Sequence, residues 1–333
     1  MEVTVTKYTD RDRAVWDRIY QSNPSLSAYQ SPDFMAQFLK TAKFGKRRVF
    51  LKNEILMFKA NGAEIICPVS VDERKKELFL LGDFSAVGYC DVIYSKDTTA
   101  DHFEKVIDEL KNRYPGYVLK FNKVNESSDF CSYLLQRSKV ISRDECVSIS
   151  FNGDYMSYYM ALSKNTRQNI RTAYNRMKRD GKSFSFQIVE GKACLSEKQK
   201  NDMIRVYCTR MKDKFKDEVL PFPIMYIAHR YFNPIIKSLN TLDNKFHALL
   251  YIDGELAAFL SGLKNSDGDE IVVPRLAMNG KFDFYDPGIV LLRETAEYLC
   301  QECPNAVLDL SRGNEKYKYA MGGQTHFNYS FLI

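Results

Sequence analysis

Three polar side chains near the carboxyl end of the sequence have the types that a group-transfer reaction uses. Asp309 ends an apolar run that predicts a strand, and Tyr317 and Lys318 lie on the short helix predicted after it. A carboxylate can accept a proton, a phenol can donate one, and an ammonium can balance developing negative charge. We take these three as the candidate catalytic residues. The structural alternative pairs Asp309 with Arg312 or Lys318 and packs Tyr317 in the core.

A basic helix predicted over 163–181 is the candidate site for anionic groups. Four of its side chains share one face because they lie 4, 3 and 4 residues apart: Arg167, Arg171, Tyr174 and Lys178. Guanidinium forks match phosphate oxygens, so the first two predict cofactor binding. Lys164, at the start of the helix, is assigned to substrate binding. The alternative is an ordinary solvated basic face, to which we assign Arg176 and Arg179.

A loop that ends at Pro287 and Gly288 precedes the next predicted helix. A helix that begins after glycine exposes free backbone N–H groups and the positive end of its dipole, and both attract phosphate. We therefore assign Tyr285, Pro287 and Gly288 to cofactor binding and Asp283 to substrate binding. The carboxylates of Asp283 and Asp286 oppose a pyrophosphate at this place. The alternative is a plain turn followed by a helix cap.

The amino-terminal half offers fewer candidates. Tyr89 and Asp91 follow a predicted strand, and we assign them to a pocket for the acceptor. This half has no Pro-Gly loop, which predicts a non-catalytic domain. His247 lies inside a predicted strand and fits a satisfied core position. Cys300 and Cys303 form a close pair without a second pair of matching spacing, so we predict no metal site.

The order of predicted elements repeats along the chain. From 184 to 332 it is β-α-α-β-β-β-α-β-α-β, with one helix over 224–239 kinked at Pro234. The amino-terminal half gives a similar order, in which a turn at Asn53-Glu54 joins two strands. The repetition predicts two domains of related structure.

Their boundaries are predicted at 1–152 and 153–333, with a bridging helix pair over 155–181 in the second domain. At 333 residues the chain is long enough for two domains, and its 45% hydrophobic and 13% aromatic content predicts real cores rather than disorder. No run predicts a membrane span or a secretory signal, so the eight cysteines are interpreted as reduced thiols of a cytoplasmic protein. The net charge of +6 fits an anionic ligand.

Three segments resemble motifs of the FemAB-like and CelD-type proteins of the GNAT (N-acetyltransferase-like) superfamily. Residues 163–171 together with Gly181 resemble their S-K-x-x-R-x-x-x-R … G helix. Residues 283–288 resemble the loop before their central helix, and residues 309–318 resemble their D-F-G-x-G-x-x-x-Y-K segment. The resemblance covers 155–333. It implies an α/β fold with a mixed sheet and two tandem GNAT domains, the first of which matches in element order only.

The resemblance also implies a function. CelD-type proteins are associated with bacterial exopolysaccharide synthesis, so we expect an N-acyltransferase that uses acyl-CoA and no metal. The acceptor would be an amine of an amino sugar or another glycan precursor, and Tyr317 would be the proton donor. FemAB-like relatives add amino acids from aminoacyl-tRNA to peptidoglycan precursors, so the alternative donor is charged tRNA. A non-catalytic binding protein on the same fold is the third possibility.

Overall fold

A computed structural model describes residues 4–7, 9, 12–41, 51–60, 62–83, 87–215 and 220–333. The chain divides into two compact units. The first unit comprises Met1–Cys146, Asn265–Asp267 and His326–Ile333, and the second comprises Val147–Lys264 and Gly268–Thr325. The main division lies close to the predicted boundary at 152–153, whereas the last residues of the chain belong to the first unit.

The first unit is built on a sheet with helices packed on it. Its strands are β1 (Thr4–Lys7), β2 (Leu51–Ala60), β3 (Ala63–Asp72), β4 (Glu77–Leu80), β5 (Ile93–Tyr94) and β6 (Val118–Asn125). Its helices are α1 (Arg13–Ser22), α2 (Pro32–Thr41), α3 (Ala100–Arg113) and α4 (Asp129–Arg137). The strand order is β1-β2-β3-β4-β6, with β5 on β3. β7 (Lys139–Ser150) then leads into the second unit.

Helix α3 shows how the sequence encodes this layer. Phe103, Val106, Ile107 and Leu110 recur on one face and are buried. The Thr99 side chain caps the helix, and the His102 ring accepts a hydrogen bond from the Thr99 amide at 3.1 Å.

The predicted turn at Asn53-Glu54 is wrong. Both residues lie within β2, which pairs without interruption with β3 from Leu51 opposite Asp72 to Ala60 opposite Ala63. The described part of the turn between the strands is Gly62, which has a φ of 85°. A ladder of this length outweighs the local turn preference of asparagine, because strand pairing depends on the partner strand. The part of the predicted strand over 47–50 lies outside the described residues.

The second unit begins with the predicted helix pair, α5 (Tyr155–Ala161) and α6 (Lys164–Arg179). Its further strands are β8 (Phe184–Glu190), β9 (Lys245–Ile252), β10 (Glu255–Lys264), β11 (Glu270–Met278) and β12 (Val307–Arg312). Its further helices are α7 (Glu197–Phe215), α8 (Phe222–Ile227), α9 (Pro234–Thr241), α10 (Pro287–Glu302) and α11 (Lys316–Ala320). β13 (Gln324–Leu332) then returns the chain to the first unit and pairs with β6.

The strand order in this unit is β12-β11-β10-β9-β8. Every pair is antiparallel except β11 with β12, which are parallel. Apolar side chains of α6 and α10 pack on one face of the sheet, and those of α7 pack on the other. This arrangement confirms the predicted mixed α/β fold and places the opening of the sheet between β11 and β12.

The single helix predicted over 224–239 is wrong in one respect. It is divided into α8, a π-helical turn over Ala228–Phe232, and α9, which begins at Pro234. Proline lacks an N–H and fits the first turn of a helix but not its interior. The Asn233 side chain caps α9 by accepting hydrogen bonds from the amides of Ile235 and Ile236.

Candidate active site

The parallel pair of β11 and β12 separates after three residues. The paired residues are Glu270 with Val307, Ile271 with Leu308, and Val272 with Asp309. Among the described residues the pairing goes no further, although β11 continues to Met278 and β12 to Arg312. Strands that diverge leave backbone N–H and C=O groups facing the gap, and these groups need partners. The gap is therefore a natural site for an extended ligand.

Asp309 lies where the strands part, and its side chain fixes the following turn. It is 1% exposed, and its Oδ1 accepts a hydrogen bond from the Ser311 amide at 2.7 Å. Ser311 has a φ of 58°, a left-handed conformation that is uncommon for serine. The Ser311 hydroxyl donates to the Val273 carbonyl of β11 at 3.1 Å. No local pattern indicates this role of Ser311, because the bond to Val273 joins residues that are distant along the chain.

Lys318 is the centre of a cage of carbonyl groups. Its side chain is buried, and Nζ lies 3.0–3.1 Å from the carbonyl oxygens of Leu310, Ser311, Arg312 and Gly313. The Glu315 carboxylate lies 3.2 Å away. An ammonium has three donors, so these acceptors use all of them. Lys318 thus holds the loop after β12 in shape, and its catalytic role stays a prediction.

Tyr317 is half-buried on α11 and packs against the core under α10. Burial raises its pKa to about 12, and the nearby Glu315 carboxylate acts in the same direction. The phenol therefore stays protonated at neutral pH. Its hydroxyl has no hydrogen-bond partner in the described part of the chain. A protonated phenol with a free hydroxyl fits the predicted proton donor.

The loop before α10 brings the start of that helix against β11. Asp286 has a φ of 48°, and Pro287 takes the first helical position. A Cβ atom on Gly288 would lie 2.4 Å from the Met278 sulfur, so glycine permits this approach. The Gly288 N–H at the start of α10 therefore lies beside the end of β11, whereas the Ile289 and Val290 N–H groups donate to the Asp286 carbonyl. This is the position that favours an anion.

Arg176 pairs with one of the two carboxylates of this loop. Its Nη1 donates to the Phe284 carbonyl at 2.8 Å and lies 3.1 Å from the Asp286 carboxylate. Its guanidinium also lies over the Phe284 ring, 4.7 Å from the centroid. The assignment of Arg176 to a solvated face is therefore wrong. Tyr285 donates to the Asp180 carboxylate at 3.1 Å.

The basic residues predicted to share one face of α6 differ in what they contact. Arg167 donates to the carbonyls of Met160 and Leu162, both at 2.6 Å, and so closes the end of α5. Arg171 is exposed and lines an open cleft of about 600 Å³ beside α5 and α10. Three further candidates are exposed: Lys164 and Lys178 on α6, and Asp283 in the loop before α10. Binding of cofactor or substrate by these residues stays a prediction.

The two candidates of the first unit are buried. Tyr89 packs edge-on against Tyr29, with ring centroids 6.0 Å apart. Asp91 is 8% exposed and accepts a hydrogen bond from the Val92 amide at 2.7 Å. Burial raises the pKa of Asp91 to about 7. Their place in an acceptor pocket remains a prediction.

Comparison with known proteins agrees with this architecture. Residues 164–319 match the model of the acetyltransferase (GNAT) domain family. No curated protein sequence matches the chain. This segment of the second unit is therefore similar to a GNAT domain, and the matched range contains the strand gap, Tyr317 and the start of α10.

Solved structures extend the likeness to the whole chain. FemX is 10% identical with a TM-score of 0.66, and the match covers 100% of this chain and 97% of FemX. The C-terminal domain of a putative lysylphosphatidylglycerol synthetase from Agrobacterium fabrum is 10% identical with a TM-score of 0.57, covering 97% and 91%. A tandem GNAT protein from the clavulanic acid biosynthesis pathway is 10% identical with a TM-score of 0.53, covering 100% and 98%. The chain thus shares the fold of tandem GNAT proteins. No helix in the described ranges has the length and apolarity to cross a membrane.

Proposed function

We propose that this chain is an N-acyltransferase that moves an acyl group from acyl-CoA to an amine of a polar acceptor such as an amino sugar or another glycan precursor. The observation that carries the proposal is the gap between β11 and β12, with the start of α10 at one side and Tyr317 near the other strand. The ion pair of Arg176 with Asp286 offsets one of the two carboxylates that oppose a pyrophosphate at this loop, and the Asp283 carboxylate stays exposed.

Different groups around the gap would bind the donor and transfer protons. Backbone groups of β11 hold an extended donor chain, and the Gly288 amide at the start of α10 binds one of its phosphates, because the Ile289 and Val290 amides already donate to the Asp286 carbonyl. In the transfer, the acceptor nitrogen forms a bond to the acyl carbon while the bond from that carbon to sulfur breaks. The nitrogen releases its proton to solvent, and Tyr317 gives its phenolic proton to the departing sulfur and regains one from solvent. Asp309 positions the turn that borders the gap.

Replacement of Tyr317 by phenylalanine should lower kcat by about 100-fold, because general acid catalysis typically contributes about 10²–10⁴-fold. The melting temperature should change little, since the ring and its packing remain. The measurement is the rate of free thiol release with acyl-CoA and an amine acceptor.

Tyr319→Phe is the matched control. Tyr319 lies on the same helix, is 38% exposed and shares a hydrogen bond with Thr325 at 2.9 Å. This variant should keep the wild-type rate. Equal rates for Tyr317→Phe and Tyr319→Phe would remove Tyr317 from the mechanism.

Acyl-CoA should stabilise the folded chain. A ligand that binds only the native state adds about 2.7 kcal/mol at 100 times its dissociation constant, which raises the melting temperature. A thermal-shift series with CoA, acetyl-CoA, longer acyl-CoAs and nucleotide sugars measures this directly. An unchanged melting temperature with every CoA species would contradict the proposed donor.

Aminoacyl-tRNA is the second candidate donor. Lys164, Arg171 and Lys178 leave exposed positive charge on α6, and the likeness to FemX spans the whole chain. Binding of tRNA through such side chains weakens steeply as salt rises, because bound counterions are released. Copurified tRNA that dissociates between about 50 and 200 mM salt would favour this donor over acyl-CoA.

A further inference from the structure

A buried polar row crosses the face of the second unit's sheet that α7 covers. The strand register places His247 of β9 opposite Ser261 of β10, and Ser261 opposite Arg275 of β11. The three residues are 0%, 2% and 9% exposed. The surrounding side chains on this face form an apolar cluster. Within the row, His247 Nδ1 and the Ser261 hydroxyl are 2.9 Å apart.

Arg275 is a buried cation without an acidic partner among the described residues. Its Nη1 donates to the carbonyl of its own neighbour, Pro274, at 2.7 Å. Its guanidinium lies over the Tyr207 ring, 4.8 Å from the centroid. Its Nε is buried and has no hydrogen-bond partner. Guanidinium does not lose its charge in proteins, so this arrangement is costly until an anion satisfies it.

The groups around Arg275 supply no negative charge at neutral pH. Burial lowers the pKa of His247 and of His229 to about 4, and the Arg275 charge adds to the effect on His229. Both rings are therefore neutral. Lys200, at the rim, adds a second cation whose ammonium lies 2.9 Å from the Glu197 carboxylate. The Glu197 carboxylate also pairs with Arg230 of the π-helical turn, and the Glu197 side chain is exposed to solvent.

A small cavity lies against this cation. Ser261 and Arg275 are the polar residues of its buried lining, which is otherwise apolar, and the half-buried Lys200, Tyr207 and Asn240 also line it. Its volume is about 20 Å³. A cavity needs roughly 10–15 Å³ to hold one water molecule, so this one has room for one small polar group such as an oxygen of a carboxylate.

We propose that this cavity binds the carboxylate of the acceptor, so that the acceptor is an amine that also carries a carboxylate group. The proposal rests on the proposed transferase function for its location. Arg275 lies on the part of β11 that has left β12, about 10 Å beyond Val272 along the strand. The same stretch of strand therefore borders the donor gap through its backbone and the cavity through the Arg275 side chain.

The test compares glycine, glycinamide and inorganic phosphate as ligands of the full chain by isothermal titration calorimetry. Glycinamide should bind about 10- to 100-fold more weakly than glycine, as loss of one charge-assisted hydrogen bond predicts. Arg275→Met should abolish this preference. Its melting temperature should be no lower than that of the wild type, because the change removes an unpaired buried cation.

Two further variants make the result decisive. Arg275→Lys keeps the charge without the planar fork and should retain a reduced preference for glycine. Arg205→Met, an exposed position on α7, should keep the full preference. Equal binding of glycine and glycinamide, tighter binding of phosphate than of glycine, or an unchanged preference in Arg275→Met would each overturn the proposal.

Thermal shifts with acetyl-CoA in the same variants separate this inference from the proposed function. Arg275→Met should keep the acetyl-CoA shift. An acetyl-CoA shift without any preference for glycine would overturn the carboxylate site alone. A glycine preference without a shift from any acyl-CoA would overturn the proposed donor and leave the carboxylate site standing.

Discussion

Lys318→Met should lower the free energy of unfolding by about 4 kcal/mol. The change leaves the carbonyls of Leu310, Ser311, Arg312 and Gly313 without the ammonium that now contacts all of them. Each unsatisfied buried polar group costs about 1–3 kcal/mol, and partial access of water to the loop reduces the sum. Urea denaturation, with the midpoint and slope fitted together, measures the change.

Lys316→Met is the matched control, because it removes the same side-chain type from the same helix. Lys316 is exposed, so its replacement should change the stability by no more than about 0.5 kcal/mol. The comparison also separates the two tasks considered for Lys318. If Lys318→Met abolished turnover while its denaturation curve matched that of Lys316→Met, Lys318 would act on the reacting groups and the cage would contribute little.

Elements set by local pattern could be predicted from the sequence. Helix α3 has its apolar residues at helical spacing and its cap at Thr99, and both signals lie within a few turns. The turn at Asn53-Glu54 was wrong because a long-range ladder with β3 decides that region. Pro234 was predicted to kink a helix, whereas the Asn233 cap lets a new helix begin there.

The site was less predictable than the fold for the same reason. Arg275 is one arginine in a predicted strand, and nothing beside it in the sequence indicates burial. Its position against Ser261 and Tyr207 follows from the strand register and from the packing of α7. Arg176 was likewise assigned to solvent, because its contact with Asp286 joins residues more than a hundred positions apart. Periodicity identifies the face of an element and does not identify what that face contacts.

Asp91 should make the stability of the chain fall as pH rises. Its pKa is about 7 in the folded chain against 3.8 for an ordinary aspartate, because burial disfavours the charged form. Between these two values the folded state binds more protons than the unfolded state, so the free energy of unfolding decreases with increasing pH. Below about pH 4 the group contributes no change, and above about pH 7 the loss is complete. At about 1.4 kcal/mol for each pKa unit, the loss reaches at most about 4 kcal/mol.

Asp91→Asn removes this titration while keeping a side-chain oxygen for the Val92 amide. The variant should therefore gain stability relative to the wild type as pH rises from 4 to 7, with the difference constant above that range. Asp108→Asn, at an exposed position of α3 in the same unit, is the control and should follow the wild-type profile. Urea midpoints at several pH values give the difference for each pair, and titration of groups common to both proteins cancels in it. A stability difference between Asp91→Asn and the wild type that stays the same from pH 4 to 8 would mean that Asp91 keeps an ordinary pKa, and that its site is open to water.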